Sequence, residues 1–121
     1  MKKTVVIGAS PNPGRYSYLA TSMLRERGIE TFPLGIRKGE ISGIAILPLQ
    51  QPPLLENIHT ITLYLNPKNQ EDYIDFMLSL KPERVIFNPG TENYAFMQKL
   101  EENGIMALEA CTLVLLQTNQ Y

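Results

Sequence analysis

The sequence contains little of the chemistry that disulfide frameworks, metal centres and redox sites require. Its 121 residues include one cysteine, one histidine and no tryptophan. A single cysteine excludes an intramolecular disulfide, and no second cysteine stands at metal-ligand spacing. No apolar run approaches the ~20 residues that span a bilayer, and the apolar stretch from Thr4 to Ile7 is too short for a secretory signal. We therefore expect a cytoplasmic protein with no membrane partner.

An excess of charge of either sign is also missing. The formal net charge is −1, from 11 basic and 12 acidic side chains. Proteins that bind nucleic acids have a clustered basic excess, so no nucleic-acid partner is expected. The apolar fraction of 44% is ordinary for a globular protein. A length of 121 residues fits one domain, residues 1–121.

Strand and helix patterns alternate along most of the sequence. The run Val5, Val6 and Ile7 is typical of a parallel strand covered on both faces. The alternation predicts an α/β fold, a three-layer, doubly wound parallel sheet of about five strands in a single domain. The predicted strands are Lys3–Ile7, Ile29–Leu34, Thr60–Leu65, Arg84–Phe87 and Ile105–Leu108, and the predicted helices are Tyr16–Arg27, Asn69–Leu80 and Thr91–Asn103.

The segment from residue 35 to residue 58 interrupts this alternation. Glycine and proline punctuate it, which predicts an irregular connection. Within it we predict a short strand or hairpin over Gly43–Leu47 and one helical turn at Leu54–Ile58. Near the end of the sequence, Leu113–Leu116 is a short apolar segment.

The first strand-to-helix connection has the strongest pattern of a ligand site. Residues 4–14, TVVIGASPNPG, pass from a β-branched strand through small residues to a helix start. Such a connection leaves backbone amides and a helix N-terminus for a phosphate. Gly8 and Gly14 fit the ends of the dinucleotide fingerprint, whereas Ser10 replaces its middle glycine. The Ser10 hydroxyl and the amides near Asn12 are the expected donors, and a turn without a ligand is the alternative.

The end of the second strand carries cations where NAD-selective enzymes carry a carboxylate. That carboxylate accepts hydrogen bonds from the ribose hydroxyls. Arg37 and Lys38 stand there instead and favour an adenosine whose ribose bears an extra phosphate. Coenzyme A and NADP both meet this description. The alternative interpretation is a pair of solvated cations on a loop.

No organised set of catalytic residues is evident. His59 precedes the third strand, opposite the carboxyl ends of the strands where such sheets bind ligands. Cys111 has no histidine in a matching position, and Glu92 and Glu109 have no obvious carboxylate partner. We therefore predict no catalytic residue and no metal ligand, and whether the protein is an enzyme stays open, leaning toward no.

With these residues in place, the sequence resembles the small stand-alone CoA-binding domain proteins. These are relatives of the nucleotide-binding domain of the succinyl-CoA synthetase α subunit. The resemblance covers nearly the full length and is strongest from Val6 to Ser17. Weaker matches are Pro33–Lys38, followed by Ile41-Ser42-Gly43, and Asn88–Glu92, which is similar to the family's Gln-x-Gly turn.

Three positions depart from the family pattern. Asn66 stands where members often carry arginine, and Asn88 replaces the glutamine of the Gln-x-Gly turn. Ala110-Cys111-Thr112 replaces an Arg-Cys-Pro-like turn and keeps only the cysteine. All three departures bear on the pantetheine end of the site and leave the adenosine end unchanged.

The resemblance implies a Rossmann-type fold with CoA or acyl-CoA as the cofactor. It places Lys38 near the ribose phosphate, and Gly8, Ser10, Asn12, Tyr16 and Ser17 around the phosphates. The loops at the carboxyl ends of the strands complete the expected site. The full set of expected cofactor-binding residues is Gly8, Ala9, Ser10, Asn12, Pro13, Gly14, Tyr16, Ser17, Leu34, Lys38, Asn66, Pro67, Asn88, Pro89 and Gly90.

The function expected from the sequence is therefore binding of CoA or acyl-CoA, with the phosphates held by the first β–α loop. Two alternatives stay open: a small NADP-binding, reductase-like protein, and a regulatory module that has lost its ligand. The expected partner is a nucleotide-type small molecule. A homo-oligomer and a complex with a partner protein are both compatible with the sequence.

Overall fold

A six-stranded, wholly parallel sheet lies at the centre of the computed structural model, which describes residues 2–121. The strands are β1 Thr4–Ile7, β2 Thr31–Gly35, β3 Glu40–Ile41, β4 Ile44–Ala45, β5 Leu47–Pro48, β6 Thr60–Leu63, β7 Arg84–Phe87 and β8 Met106–Glu109. The sheet order is β5-β2-β1-β6-β7-β8, and β3 and β4 form a separate antiparallel hairpin. The predicted fold class is confirmed, with β5 as an additional, two-residue edge strand.

Helices cover both faces of the sheet. They are α1 Tyr16–Glu26, α2 Pro67–Gln70, a 3₁₀ turn at Glu71–Tyr73, α3 Ile74–Ser79, α4 Tyr94–Glu102 and α5 Thr112–Gln117. None of the helices within residues 2–121 has the length and apolar character needed to cross a bilayer.

The unbroken apolar run of β1 is explained by burial on both faces of the strand. Val5 and Ile7 belong to a core cluster with residues of α3 and α4, such as Met77 and Leu100. Val6 points to the opposite face and packs with residues of α1 and α5. Successive side chains of a strand point to opposite faces, so all of them must be apolar or hydrogen-bonded where both faces are covered.

Three local predictions are wrong. The helix predicted from Thr91 begins instead at Tyr94, because the Asn93 side chain caps it there. The helix predicted from Asn69 begins instead at Pro67, because the Asn66 side chain caps it by accepting from the Asn69 amide at 2.9 Å. It is also broken by the 3₁₀ turn before α3. Leu54–Ile58 contains no helical turn: two prolines precede it, and Asn57 adopts a left-handed φ of 58° that ends any helical path.

The strand order places a crevice at the carboxyl ends of β1 and β6. From β1 the chain first adds β2 and β5 on one side, and then β6, β7 and β8 on the other. The loops that follow β1 and β6 therefore diverge to opposite faces of the sheet. Such a reversal of strand order is where open α/β sheets bind ligands.

Candidate functional site

Three adjoining cavities lie along the carboxyl edge of the sheet. The central cavity has a volume of about 250 Å³. The β2 cavity, of about 570 Å³, shares Ile36 and Arg37 with it. The β6–β7 cavity, of about 600 Å³, shares Gly8, Arg15 and Leu65 with it. Because neighbouring cavities share walls, the three form one elongated cleft.

The central cavity is formed by the bend that follows β1. Gly8 has a φ of +95°, which side-chain-bearing residues rarely adopt, and a Cβ there would lie 3.1 Å from the Tyr64 carbonyl carbon. The bend then passes close to the end of β2. The lining residues are Gly8, Ala9, Ser10, Asn12, Arg15, Ile36, Arg37 and Leu65.

Most amides of this bend are already hydrogen-bonded within the protein. The Gly8 and Ala9 amides both donate to the Leu34 carbonyl at 2.9 Å. The Asn12 amide donates to the Ser10 hydroxyl at 3.1 Å, and the Gly14 amide donates to the Asn12 side-chain oxygen at 2.9 Å. The Asn12 and Gly14 amides are therefore paired within the protein, whereas the Ser10 amide has no acceptor within residues 2–121.

The other unused amides of this region lie at the start of α1. The Tyr16 and Ser17 amides have no acceptor within residues 2–121, whereas those of Tyr18 and Leu19 bond to the Arg15 carbonyl. Arg15 is the N-cap residue, makes no side-chain cap, and no acidic residue occupies the first turn. This helix end therefore keeps its partial positive charge and its free amides.

Two arginines add full positive charges beside this helix end. Arg15 lines both the central and the β6–β7 cavity, and Arg37 lines both the central and the β2 cavity. Neither belongs to the expected cofactor-binding set. A basic residue in the N-cap position, where it cannot cap a helix, is the signal that was available for Arg15.

The β2 cavity combines cations with an apolar surface. Arg37 and Lys38 both line it, so the structure brings the expected cationic pair to the cleft. The exposed Ile36 side chain, Ile46 and Pro48 supply apolar surface. The full lining is Gly35, Ile36, Arg37, Lys38, Gly39, Glu40, Ala45, Ile46, Pro48 and Gln50.

The β6–β7 cavity lies between the loops that follow these two strands. Asn66 and Asn69 stand on one wall, Gly90 and Thr91 on the other, and Tyr16 at the start of α1. The Gly90 amide donates to the Glu92 carboxylate at 2.9 Å. The full lining is Gly8, Gly14, Arg15, Tyr16, Ser17, Tyr64, Leu65, Asn66, Asn69, Pro89, Gly90 and Thr91.

Four of the expected site residues do not line the cleft. Leu34 has no exposed surface and belongs to the core; only its carbonyl contacts the bend. Pro67 is the first residue of α2, and Pro13 lies in the bend outside the three linings. Asn88 is buried. The expected residues that line the cleft are Gly8, Ala9, Ser10, Asn12, Gly14, Tyr16, Ser17, Lys38, Asn66, Pro89 and Gly90.

The Asn88 side chain points away from the cleft because its polar atoms are used inside the fold. Its Nδ2 donates to the Thr62 hydroxyl at 2.8 Å and to the Leu63 carbonyl at 3.0 Å. Its Oδ1 accepts from the Thr112 amide at 2.9 Å. Asn88 therefore joins β6, β7 and the start of α5.

Tyr64 lines the β6–β7 cavity and carries a buried hydroxyl. Burial raises the pKa of Tyr64 to about 12. The nearby hydroxyls of Thr62 and Thr112 lower the pKa of Tyr64, but less than burial raises it. These two hydroxyls hydrogen-bond to each other at 2.8 Å. The Tyr64 hydroxyl itself has no hydrogen-bond partner within residues 2–121.

We expect Tyr64→Phe to leave the free energy of unfolding at pH 7 unchanged or raised, because it removes an unpartnered polar atom. Above pH 10 the free energy of unfolding of the variant should rise relative to that of the wild type. Tyr64 ionises at about pH 10 in the unfolded chain but at about 12 in the fold, so the wild type loses about 1.4 kcal/mol per pH unit in between. Urea unfolding at pH 7 and pH 11 measures this difference.

The exposed Tyr94 provides the matched control for this measurement. The difference in free energy of unfolding between Tyr94→Phe and the wild type should be the same at pH 11 as at pH 7. An equal stability difference between Tyr64→Phe and the wild type at both pH values would contradict the buried, neutral state of the Tyr64 hydroxyl.

The architecture and the cleft at its strand-order reversal define an α/β domain of the Rossmann type. A sequence model of the CoA binding domain family matches residues 2–117. The chain belongs to this family, and the predicted family is confirmed. No relative was found among curated proteins.

Solved structures match the fold of this chain along nearly its whole length. An uncharacterised protein is 47% identical, with a TM-score of 0.95, and the match covers 100% of this chain and 98% of that one. A protein from Thermus thermophilus is 24% identical, with a TM-score of 0.83 and coverages of 99% and 90%. A hypothetical protein from Pyrococcus horikoshii OT3 is 24% identical, with a TM-score of 0.77 and coverages of 96% and 82%. The last two establish similarity of fold alone.

Proposed function

We propose that the protein binds CoA or an acyl-CoA in the cleft, with the diphosphate in the central cavity. Membership of the CoA binding domain family supports the identity of the ligand. The observation that carries the placement is that Arg15 and Arg37 both line this cavity. The uncapped start of α1, with the free amides of Tyr16 and Ser17, borders it from the β6–β7 cavity. Free helix amides and guanidinium groups are the donors that phosphate oxygens prefer. No acidic residue is among the described residues that line this cavity.

The flanking cavities fit the two ends of such a ligand. In our proposal the adenosine lies in the β2 cavity, with its base on the apolar surface of Ile46 and Pro48 and its 3′-phosphate near Lys38 and Arg37. The pantetheine arm lies in the β6–β7 cavity. Its neutral amides suit the side-chain amides of Asn66 and Asn69. We propose binding without a catalytic step.

We expect CoA to stabilise the protein more than dephospho-CoA or NADP does. At a CoA concentration of ~100 times its dissociation constant, the free energy of unfolding should rise by about 2.7 kcal/mol. Dephospho-CoA lacks the 3′-phosphate and should bind roughly 10- to 100-fold more weakly, since a charge-assisted contact contributes roughly 1.5–3 kcal/mol. Thermal unfolding with each ligand, at fixed protein concentration, ranks the three ligands by how much they stabilise the protein.

Two lysine variants, one inside the cleft and one outside it, sharpen this experiment. Lys38→Gln should weaken the binding of CoA and leave the binding of dephospho-CoA nearly unchanged. Lys99 is an exposed cation outside the three cavities, and Lys99→Gln should change the binding of neither ligand. A protein that CoA does not stabilise would refute the proposal. An NADP shift larger than the CoA shift would favour the reductase-like alternative, and equal shifts with CoA and dephospho-CoA would refute the role of Lys38.

A further inference from the structure

We propose that Gln70 is a positioning residue for the pantetheine arm, because it joins the two walls of the β6–β7 cavity. Gln70 is the last residue of α2 and lines none of the three cavities. The inference rests on the proposed function, since it concerns the part of the cleft assigned there to pantetheine. It adds a residue that neither the motifs nor the cavity linings identify.

The side-chain nitrogen of Gln70 bonds to both walls. Its Nε2 donates to the Leu65 carbonyl at 2.8 Å and to the Thr91 carbonyl at 2.8 Å. Leu65 belongs to the wall after β6 and Thr91 to the wall after β7, and both line the cavity. A primary amide has two N–H groups, so both are used in spanning the walls.

The remaining polar atom of Gln70 extends the connection into α4. Its Oε1 accepts from the Asn93 side-chain nitrogen at 2.9 Å. The Asn93 side-chain oxygen accepts from the Phe96 amide at 3.1 Å and so caps α4. The two facing carbonyls require a donor from Gln70, and this fixes the orientation of its amide.

Burial makes this connection strong and specific. Gln70 has no exposed surface, so water does not replace a lost hydrogen bond easily. Asn88 joins β6 to α5 deeper in the fold, and the Thr91 hydroxyl and amide bond only within their own turn, to the Asn88 carbonyl. Within residues 2–121, Gln70 is the one side chain that hydrogen-bonds to both cavity walls.

A fixed separation of these walls matters most for a flexible ligand segment. The pantetheine arm loses rotational freedom when it binds, and a preformed slot reduces the additional cost of ordering the protein. The adenosine and diphosphate parts are assigned to the other two cavities. Gln70 reaches the central cavity only at Leu65, which it shares with the β6–β7 cavity, and bonds to no residue of its opposite wall. Loss of Gln70 should therefore weaken binding of one part of CoA and spare the other.

The test compares CoA with 3′-phosphoadenosine 5′-diphosphate, the CoA fragment that ends at the diphosphate. Titration calorimetry gives both affinities for the wild type, Gln70→Met and Gln70→Asn. Gln70→Met keeps the size but removes both donors, and we expect about a tenfold or greater loss for CoA and less than about a twofold loss for the fragment. Gln70→Asn keeps an amide that is one methylene shorter, and an intermediate loss confined to CoA is expected. If Gln70→Met does not fold, Gln70→Asn alone tests the proposal.

A matched control separates positioning from loss of stability. Thr31 is buried at the start of β2, and its hydroxyl donates to the Ile29 carbonyl at 2.7 Å, at the edge opposite the cleft. Thr31→Val loses this partly buried hydrogen bond and should bind both ligands like the wild type. Equal losses for CoA and the fragment, or no loss for either, in the Gln70 variants would overturn the proposal. A wild type that binds neither ligand would instead refute the proposed function.

Discussion

We expect Asn88→Leu to lower the free energy of unfolding by roughly 2–6 kcal/mol, since each buried backbone group left without its partner costs about 1–3 kcal/mol. The Thr112 amide loses its acceptor, and the Leu63 carbonyl loses a side-chain donor. Thr112 has no exposed surface, so water cannot replace Asn88 there. Thermal and urea unfolding measure the loss, which corresponds to a fall in Tm on the order of 10 °C.

Asn88→Asp is the informative companion to this variant because it keeps the shape and changes one atom. An aspartate keeps an acceptor for the Thr112 amide but turns an oxygen toward the Leu63 carbonyl. Burial and this carbonyl would raise the pKa of the new carboxyl above about 3.9, its value in the unfolded chain. Its stability deficit relative to the wild type should therefore be smallest below pH 4 and grow as pH rises.

Asn103 is the control for both Asn88 variants, because its side chain is exposed and donates only to the Lys99 carbonyl. Asn103→Leu should change the free energy of unfolding by less than about 1 kcal/mol. An Asn88→Leu protein as stable as Asn103→Leu would mean that the Asn88 side chain faces the cleft and not the fold.

The fold was predictable because its main signals are local. A β-branched run such as Val5-Val6-Ile7 is buried on both faces wherever it forms a parallel strand. The alternation of strands and amphipathic helices then leaves few topologies. The two-residue β5 was not predictable, since Leu47 and Pro48 become a strand only by pairing with the end of β2.

The position of the cleft was predictable, but the roles of its polar residues were not. The loops after β1, β2, β6 and β7 all contribute lining residues. Whether an amide side chain faces a ligand or the fold depends on partners distant in the sequence. Asn88 bonds to Thr112, and Gln70 bonds to Thr91. No short pattern records such pairs, so Asn88 was expected in the site and Gln70 was overlooked.

The same reasoning applies to the bend after β1. Its glycines and small residues indicated free amides, yet the Gly8 and Ala9 amides donate to the Leu34 carbonyl of the neighbouring strand. These two bonds hold the bend against β2. The bend therefore acts as a support that presents the start of α1. The donors offered to a ligand are Ser10, the first amides of α1 and the two arginines.

We expect Gly35→Ala to disturb this support and to lower both stability and CoA affinity. A Cβ on Gly35 would lie 2.2 Å from the Ala9 carbonyl oxygen and 3.1 Å from its carbonyl carbon. Backbone atoms cannot rotate away as a side chain can, so the bend must move off β2 and strain the Ala9–Leu34 bond. Overpacking of this kind costs about 1–3 kcal/mol. Because the bend leads into α1, CoA affinity should fall about tenfold or more, measured by titration calorimetry beside urea unfolding.

Gly104→Ala separates the crowding at Gly35 from the general cost of replacing a glycine. Gly104 lies between α4 and β8, has a φ of +74°, and a Cβ there would meet no atom within 4 Å. Its replacement should cost about 1–2 kcal/mol through the left-handed backbone alone and leave CoA affinity unchanged. If Gly35→Ala behaved like Gly104→Ala, losing stability but no affinity, then the contact between the bend and β2 would not control how α1 meets the ligand.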